Sequence, residues 1–342
     1  MAGATPSYVI VNPSFIEPGI ILPYVQASGA FNTLAGADPL VRLSDGDLYV
    51  YMKRLDVRTR MAAGQAAYNQ LPSVSVALSM ISTASYLLRV RAEYDHHDTA
   101  AMGQWGLNMV EAQRLGMRQG HFQLARNALL YGLNPINGEG LINAQGATAV
   151  PLPPDSNGNN TVVTYDNGEL GVWLLTQISA LKTRCNQLGI GRSFVILGPQ
   201  RTLAAMEYQN IVQIVQFQRE GAGSVTTKGM LDNVLSMNDD DIAWCYDDTL
   251  IGKGVGGGQN DAVILVMPEV KKPVGTRINT NEIAKIAPGI EACTLMYADM
   301  AAPREIPTPL AGGAIDVLSE WRITSGWGVR PEAITIMTLQ YQ

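Results

Sequence analysis

From Leu78 to Tyr94 the even-numbered positions Leu78, Met80, Ala84, Tyr86, Leu88, Val90, Ala92 and Tyr94 are apolar, with Ser82 the exception. The odd positions include Ser79, Thr83, Ser85, Arg89, Arg91 and Glu93. A period of two marks a strand with one buried face and one wet face. At ~3.3 Å per residue this strand spans on the order of 55 Å, about three times the usual length, and so overhangs any ordinary domain. A second β-prone run, Leu48 to Arg58, precedes it, and the stretch from Met61 to Pro72 reads as the tip of a long hairpin. Because an isolated hairpin is marginal in water, its partner is expected on a neighbouring subunit.

The helical period takes over at Asp98 or Thr99 and runs without proline to Tyr131, where Gly132-Leu133-Asn134-Pro135 stops it. Trp105, Met109, Ala112 and Gly116 share one face, and Leu115, Phe122, Ala125 and Leu129 continue an apolar stripe. At 1.5 Å per residue the predicted helix measures roughly 50 Å, a structural spine. After a Gly-, Asn- and Pro-rich loop over 133–160, the pattern predicts a helix from Leu170 to Leu188 and a buried strand from Arg192 to Leu197. A helix from Gln200 to Tyr208 and a second buried strand, Ala262 to Met267, follow. These predict a compact α/β unit over about 160–290. Period two then returns with Ile315, Val317, Trp321, Ile323, Trp327 and Val329, ahead of a last strand from Ile334 to Leu339. The two closing strands are expected to pack with the long helix, which makes the chain α+β.

Residues 1–45 carry Pro6, Pro13, Pro18, Pro23 and Pro39 between short β-prone pieces such as Tyr8-Val9-Ile10-Val11, and so read as an extended arm. An apolar arm left in water invites aggregation, so it is expected to lie across another surface. Composition agrees. Only 16% of the 342 residues are charged, against roughly 25% in ordinary soluble domains. A surface so thin in charge suggests burial against further copies of the chain. The net charge of −6 excludes a strongly cationic nucleic-acid binder.

Met61 to Leu88 contains no charged residue, yet Gly64, Gln65, Asn69, Gln70, Pro72 and several serines argue against a membrane span. The opening residues have no basic segment, the first basic residue being Arg42, so no cleaved secretion signal is expected. Three scattered cysteines, Cys185, Cys245 and Cys293, give no disulfide framework and point to a reducing compartment.

Candidate chemistry is sparse. Asp95-His96-His97-Asp98, with His121 as the remaining histidine, offers metal-ligand types. Adjacent strand positions point to opposite faces, so the alternative is a polar junction in which Asp98 caps the helix. Asp239-Asp240-Asp241 and Asp247-Asp248 offer oxygen ligands for Ca²⁺ but lack the spacing of a calcium loop, and read as a solvated acidic turn. The run Gly252-Lys253-Gly254-Val255-Gly256-Gly257-Gly258 lacks the order of a phosphate loop and reads as a flexible connection between two strands. No Gly-x-Ser-x-Gly elbow or His-Glu-x-x-His motif occurs. No catalytic, cofactor or metal residue is assigned, and the chain is expected not to be an enzyme. A metal-dependent hydrolase built on His96, His97, Asp98 and His121 is the outlying alternative.

The order of arm, long hairpin, spine helix, α/β unit and terminal strands resembles the major capsid proteins of tailed bacteriophages with the Hong Kong 97-type fold. Two local stretches add to the resemblance. Asn127-Ala128-Leu129-Leu130-Tyr131-Gly132 followed by Gly140-Leu141-Ile142-Asn143 is similar to the end of the spine helix and the following loop in the encapsulin-related branch. Gly326-Trp327-Gly328-Val329-Arg330-Pro331-Glu332-Ala333-Ile334 is similar to that family's closing strand.

The resemblance implies a shell protein forming hexamers and pentamers of an icosahedral head around double-stranded DNA, assembled in the host cytoplasm and carried in the virion. Residues 1–45 would be the arm and 46–97 the extended loop. The peripheral domain would comprise 98–159 and 291–342, with its spine helix at 98–132, and 160–290 would be the axial domain, its glycine-rich loop facing the capsomer axis. The implied partners are copies of the chain and portal, scaffolding and decoration proteins, with DNA touched only weakly and non-specifically. Many relatives begin with a charged scaffolding segment, whereas this arm starts uncharged, so scaffolding would fall to a separate protein or to the arm itself. Some relatives weld subunits through a loop lysine. Met61 to Val76 contains no lysine and Lys53 sits at the base, so no covalent cross-linking is expected. An encapsulin-like nanocompartment enclosing protein cargo is the alternative.

Overall fold

The computed structural model describes residues 34, 41–58, 75–104, 108–185, 187, 191–208, 210–211, 225–270, 294–310 and 312–342. The expected arm, Leu34 and residues 41–45 apart, and the hairpin tip at 59–74 lie outside the described residues. In chain order the strands and helices are β1 (Val41–Arg42), β2 (Tyr49–Arg58), β3 (Ser75–Tyr94), α1 (His96–Gln104), α2 (Met109–Tyr131), β4 (Thr148–Pro151), α3 (Asn167–Arg184), β5 (Ser193–Gly198) and α4 (Gln200–Tyr208). There follow β6 (Asn210–Ile211), β7 (Val225–Thr226), α5 (Thr227–Ser236), β8 (Asp241–Tyr246), β9 (Asn260–Val266), β10 (Leu295–Met296), β11 (Ala298–Asp299), β12 (Arg304–Pro309), β13 (Ile315–Thr324), β14 (Trp327–Gly328) and β15 (Ile334–Gln340). The chain is α+β, as its periods predict.

Two sheets organise these elements. The long sheet runs β1-β11-β13-β3-β2, with β12 also paired to β13. Its axis is β3, whose inner half, Ser85 to Tyr94, pairs antiparallel with β13, and whose outer half, Ser75 to Ala84, pairs antiparallel with β2. The second sheet runs β4-β15-β9-β5-β8, and its inner strands β15, β9 and β5 are buried on both faces. Alternate residues of β9 enter different cores: Ala262, Ile264 and Val266 face α2, whereas Val263 and Leu265 face α3, α4 and α5. A strand covered on both sides reads as an unbroken apolar run, which is why Ala262 to Met267 was legible as buried.

Three expectations need correction. The helix predicted over 98–132 is two helices. Asn108 has φ −88° and ψ 96°, outside the helical region, and its side chain accepts a hydrogen bond from Glu111 N at 3.3 Å. An asparagine in that role starts α2 afresh. The buried stripe of α2 is Met117, His121, Ala125, Ala128, Leu129 and Leu130, while Leu115 is exposed. The final strand, expected in the peripheral unit, does turn one face to the core of the long helix, but it pairs with β9 and β4 in the second sheet. Its alternate residues Ile334 and Ile336 face one core and Met337 and Leu339 the other, so it needs cover on both sides.

The two stretches that carried the family resemblance meet at the end of α2. Gly132 (φ +71°) closes the helix, and a Cβ there would stand 2.4 Å from the Glu139 carbonyl oxygen. At Gly140 (φ +88°) a Cβ would stand 2.3 Å from the Tyr131 carbonyl carbon. Only glycine permits this backbone-to-backbone crossing. Gly140 N donates to Gly326 O at 2.7 Å, Gly326 N donates to Ala128 O at 3.2 Å, and Asn143 Nδ2 donates to Tyr131 O at 2.8 Å. Buried Glu139 accepts from Tyr86 OH at 2.8 Å and from Asn134 N at 3.1 Å. Burial, reinforced by the Glu139 carboxylate, pushes the Tyr86 phenol up to about 12. The junction therefore ties β3, α2 and the C-terminal segment together.

Candidate subunit interface

The outer half of the hairpin presents an apolar face to solvent. Directly paired residues share a face in an antiparallel ladder. Tyr49 lies opposite Ala84, Tyr51 opposite Ser82, Lys53 opposite Met80, Leu55 opposite Leu78 and Val57 opposite Val76. Tyr49, Tyr51, Val76, Leu78 and Met80 keep 57%, 66%, 63%, 62% and 64% of their surface exposed. The rings of Tyr49 and Tyr51 stand 6.2 Å apart. The same even-numbered face of β3 continues inward to Leu88, which α2 buries. One strand face is thus covered over one half and bare over the other.

The base of the hairpin is held firmly. Buried Arg322 donates through Nη1 to Ser85 Oγ at 3.0 Å and to Asp47 O at 3.2 Å, and Ser85 Oγ also donates to Asp47 O. The Asp47 carboxylate accepts from Ser44 N at 2.8 Å and Ser44 Oγ at 2.7 Å, and these bonds lower its pKa. Fixing the base means less freedom is lost when the shaft meets a partner. On the opposite face of the inner half, Arg89 pairs with Glu320 and Arg91 with Asp316, each at 2.8 Å.

The residues singled out for chemistry are not gathered into a site. His96 and His97 open α1, both exposed, with ring centroids 3.9 Å apart rather than on opposite faces, because they lie in a helical turn and not on a strand. The cap is Asp95, not Asp98: its Oδ1 accepts from His97 N and, at 3.3 Å, from Asp98 N. His121 lies buried on α2. No three His, Cys, Asp or Glu side chains among the described residues converge to hold a metal.

The acidic run is not a solvated turn throughout. Asp240 is buried, bonded to Lys182 Nζ at 2.8 and 2.9 Å and to Arg192 N at 2.8 Å. Asp247 accepts from Thr249 N at 3.0 Å, and Asp248 from Gln200 N at 2.7 Å. The glycine-rich connection between β8 and β9 is pinned rather than loose. Gly252 N reaches Asp261 Oδ1 at 3.0 Å, Gly254 N reaches Asn260 O at 2.8 Å and Val255 N reaches Thr338 Oγ1 at 3.1 Å.

No family model matches the sequence, and no curated protein matches it. Solved structures do. The capsid of Myoviridae phage XM1 superposes with a TM-score of 0.66 at 9% identity, covering 95% of this chain and 96% of that one. The chain has the Hong Kong 97-type capsid fold. The capsid of a native GTA particle matches with a TM-score of 0.57 at 11% identity, over 96% of this chain and 95% of that one. A structure from Microbacterium phage Oxtober96 gives 0.56 at 11% identity, over 95% of each chain. β2 and β3 form the long hairpin that the alternating pattern predicted.

Proposed function

We propose that this chain is the major capsid protein of a tailed bacteriophage, assembling through hexamers and pentamers into an icosahedral shell around double-stranded DNA. The observation that carries the reading is the apolar face of the hairpin, Tyr49, Tyr51, Val76, Leu78 and Met80, displayed in water on a strand pair with a fixed base. A contiguous apolar patch on such an overhang marks an interface. Fully burying each of its aliphatic side chains contributes about 1.5–3 kcal/mol, and a closed shell repeats the contact at every subunit. The capsid fold, shared with the phage XM1 and GTA capsids, supports a partner that is another copy of the chain.

In this reading residues 1–45 are the arm, 46–97 the extended loop and 98–159 with 291–342 the peripheral domain, except that β4 and β15 belong to the sheet of the axial domain, 160–290. Portal, scaffolding and decoration proteins are its expected partners, assembly takes place in the host cytoplasm, and the shell serves no catalytic role. The net charge of −6 suits a container that must not grip its genome.

Negative-stain electron microscopy of the purified chain tests the proposal. Icosahedral shells, or hexamers and pentamers, are expected, and a monodisperse small oligomer contradicts self-sufficient assembly. Nucleic acid in particles from infected cells, rather than an enzyme cargo, separates the phage head from a nanocompartment. Removing residues 1–40 is expected to abolish particles while leaving soluble subunits, and intact shells after that deletion count against the role given to the arm.

A further inference from the structure

We propose that His121 is an acid-sensitive latch between α2 and the long sheet, whose protonation loosens the helix from β13 and frees the angle at which the hairpin is carried. His121 is only 2% exposed. Its Nε2 lies 3.1 Å from Ser319 Oγ on β13, and its ring stands edge-on to Trp321 with centroids 5.7 Å apart. Nδ1 has no hydrogen-bond partner among the described residues. A neutral imidazole can leave its unpartnered nitrogen bare of hydrogen. An imidazolium carries a proton on both nitrogens, so acid places an N–H and a full charge where nothing accepts them.

The surroundings offer no compensation among the described residues. By register, the β13 residues sharing the face of Ser319 are Ile315, Val317, Trp321 and Ile323. The β3 residues on that face are Tyr86, Leu88, Val90, Ala92 and Tyr94, which bring no carboxylate to the imidazole. From β12, Glu305 lies opposite Ser319, but Arg114 of α2 already holds it at 3.1 Å. The charges α2 itself carries are Glu111, which Arg114 holds at 3.0 Å, and the cations Arg114, Arg118 and Arg126, so its one carboxylate is already paired. Burial lowers the His121 pKa below its ordinary value. The neutral form is therefore the folded form, and the stability of the seam is full above the ordinary pKa of ~6.5 and lost as pH falls below it.

The far end of α2 does not share this weakness. Leu129 and Leu130 are wholly buried and the glycine crossing ties Gly132 and Gly326 in place. A helix released at His121 and fixed at its end pivots, and the long sheet with its hairpin moves relative to the five-stranded sheet.

Amide hydrogen exchange on the full-length chain tests the latch. Protection factors over residues 115–125 are expected to fall by up to about thirtyfold between ~pH 7.5 and ~pH 5, the factor by which an exposed imidazole of pKa ~6.5 gains protons over that range. His121→Gln keeps a hydrogen-bonding group toward Ser319 and cannot titrate, so its protection is expected to change less than about twofold over the same range. Equal falls in both proteins overturn the proposal. Should the variant fail to fold, the ¹⁵N resonances of the wild-type His121 ring decide: a ring still neutral at ~pH 5.5 upholds the latch, and half-protonation near ~6.5 overturns it.

Discussion

Strand β9 and the outer half of β3 are similarly rich in apolar residues, yet they meet opposite fates. Every residue of β9 from Asp261 to Val266 is buried, with helices of the same chain on both sides of its sheet. From Ser75 to Met80 every residue of β3 is exposed. The first run is unbroken and the second alternates, so the five-stranded sheet completes its core within one chain, whereas the hairpin leaves an apolar face bare, which the proposed reading makes half of an interface. On that reading, stability resides in the former and assembly in the latter.

If so, substitutions should separate the two. The largest loss of subunit stability is expected in the inner sheet: Ile264→Ala, at a fully buried position, should cost about 2–5 kcal/mol in urea unfolding. An unchanged midpoint would break the comparison. Asp261 comes next. Its buried carboxylate accepts from Arg201 Nε at 2.8 Å and from Thr202 Oγ1 at 2.6 Å. Burial alone would raise its pKa, but the bonds from Arg201, Thr202 and Gly252 N and the Arg201 charge outweigh it and hold the carboxyl below its usual range. Its contribution is present above the ordinary carboxylate pKa and lost as pH falls through the lowered one. Asp261→Asn should cost about 2 kcal/mol at neutral pH and flatten the acid limb of a stability–pH curve.

Smaller effects belong to the long sheet. Arg89→Ala breaks an ion pair whose arginine is largely exposed, and should cost less than about 1 kcal/mol. The double variant Leu78→Glu with Met80→Glu should leave subunit stability within about 0.5 kcal/mol, since neither side chain is buried. It should nevertheless abolish particles in sedimentation. A double variant that unfolded like Ile264→Ala would show that the hairpin face supports the subunit itself. Wild-type particles boiled in denaturant should run near the 36.8 kDa monomer, because no hairpin-tip lysine is available for a weld, and a ladder of multimers would contradict this.

What was legible in the sequence followed from local periods. The alternation of β3, the glycine stop at Gly132, the helix Gln200–Tyr208 and the apolar run of β9 all carry their structure in neighbouring residues. What was not legible depends on distant ones. The restart of α2 at Asn108 sits in a stretch without proline, where a cap is hard to distinguish from a helical asparagine. Asp240 looked solvated because Lys182 reaches it from 58 positions away. Strand β15 was found, but its sheet was not, since pairing with β9 leaves no local mark. The exposed face of the hairpin was anticipated as an overhang, whereas the burial of His121 was marked only by its spacing of four from Ala125, and its neighbour Trp321 lies 200 positions away.

The central claim is that the outer half of the hairpin is unsupported in the subunit and covered in the shell. Hydrogen exchange over residues 75–84, compared between free subunits and assembled particles, tests it directly. The account predicts amides that exchange readily in the subunit and gain at least about tenfold protection on assembly, while β9 is equally protected in both states. Equal protection of the hairpin before and after assembly would contradict it.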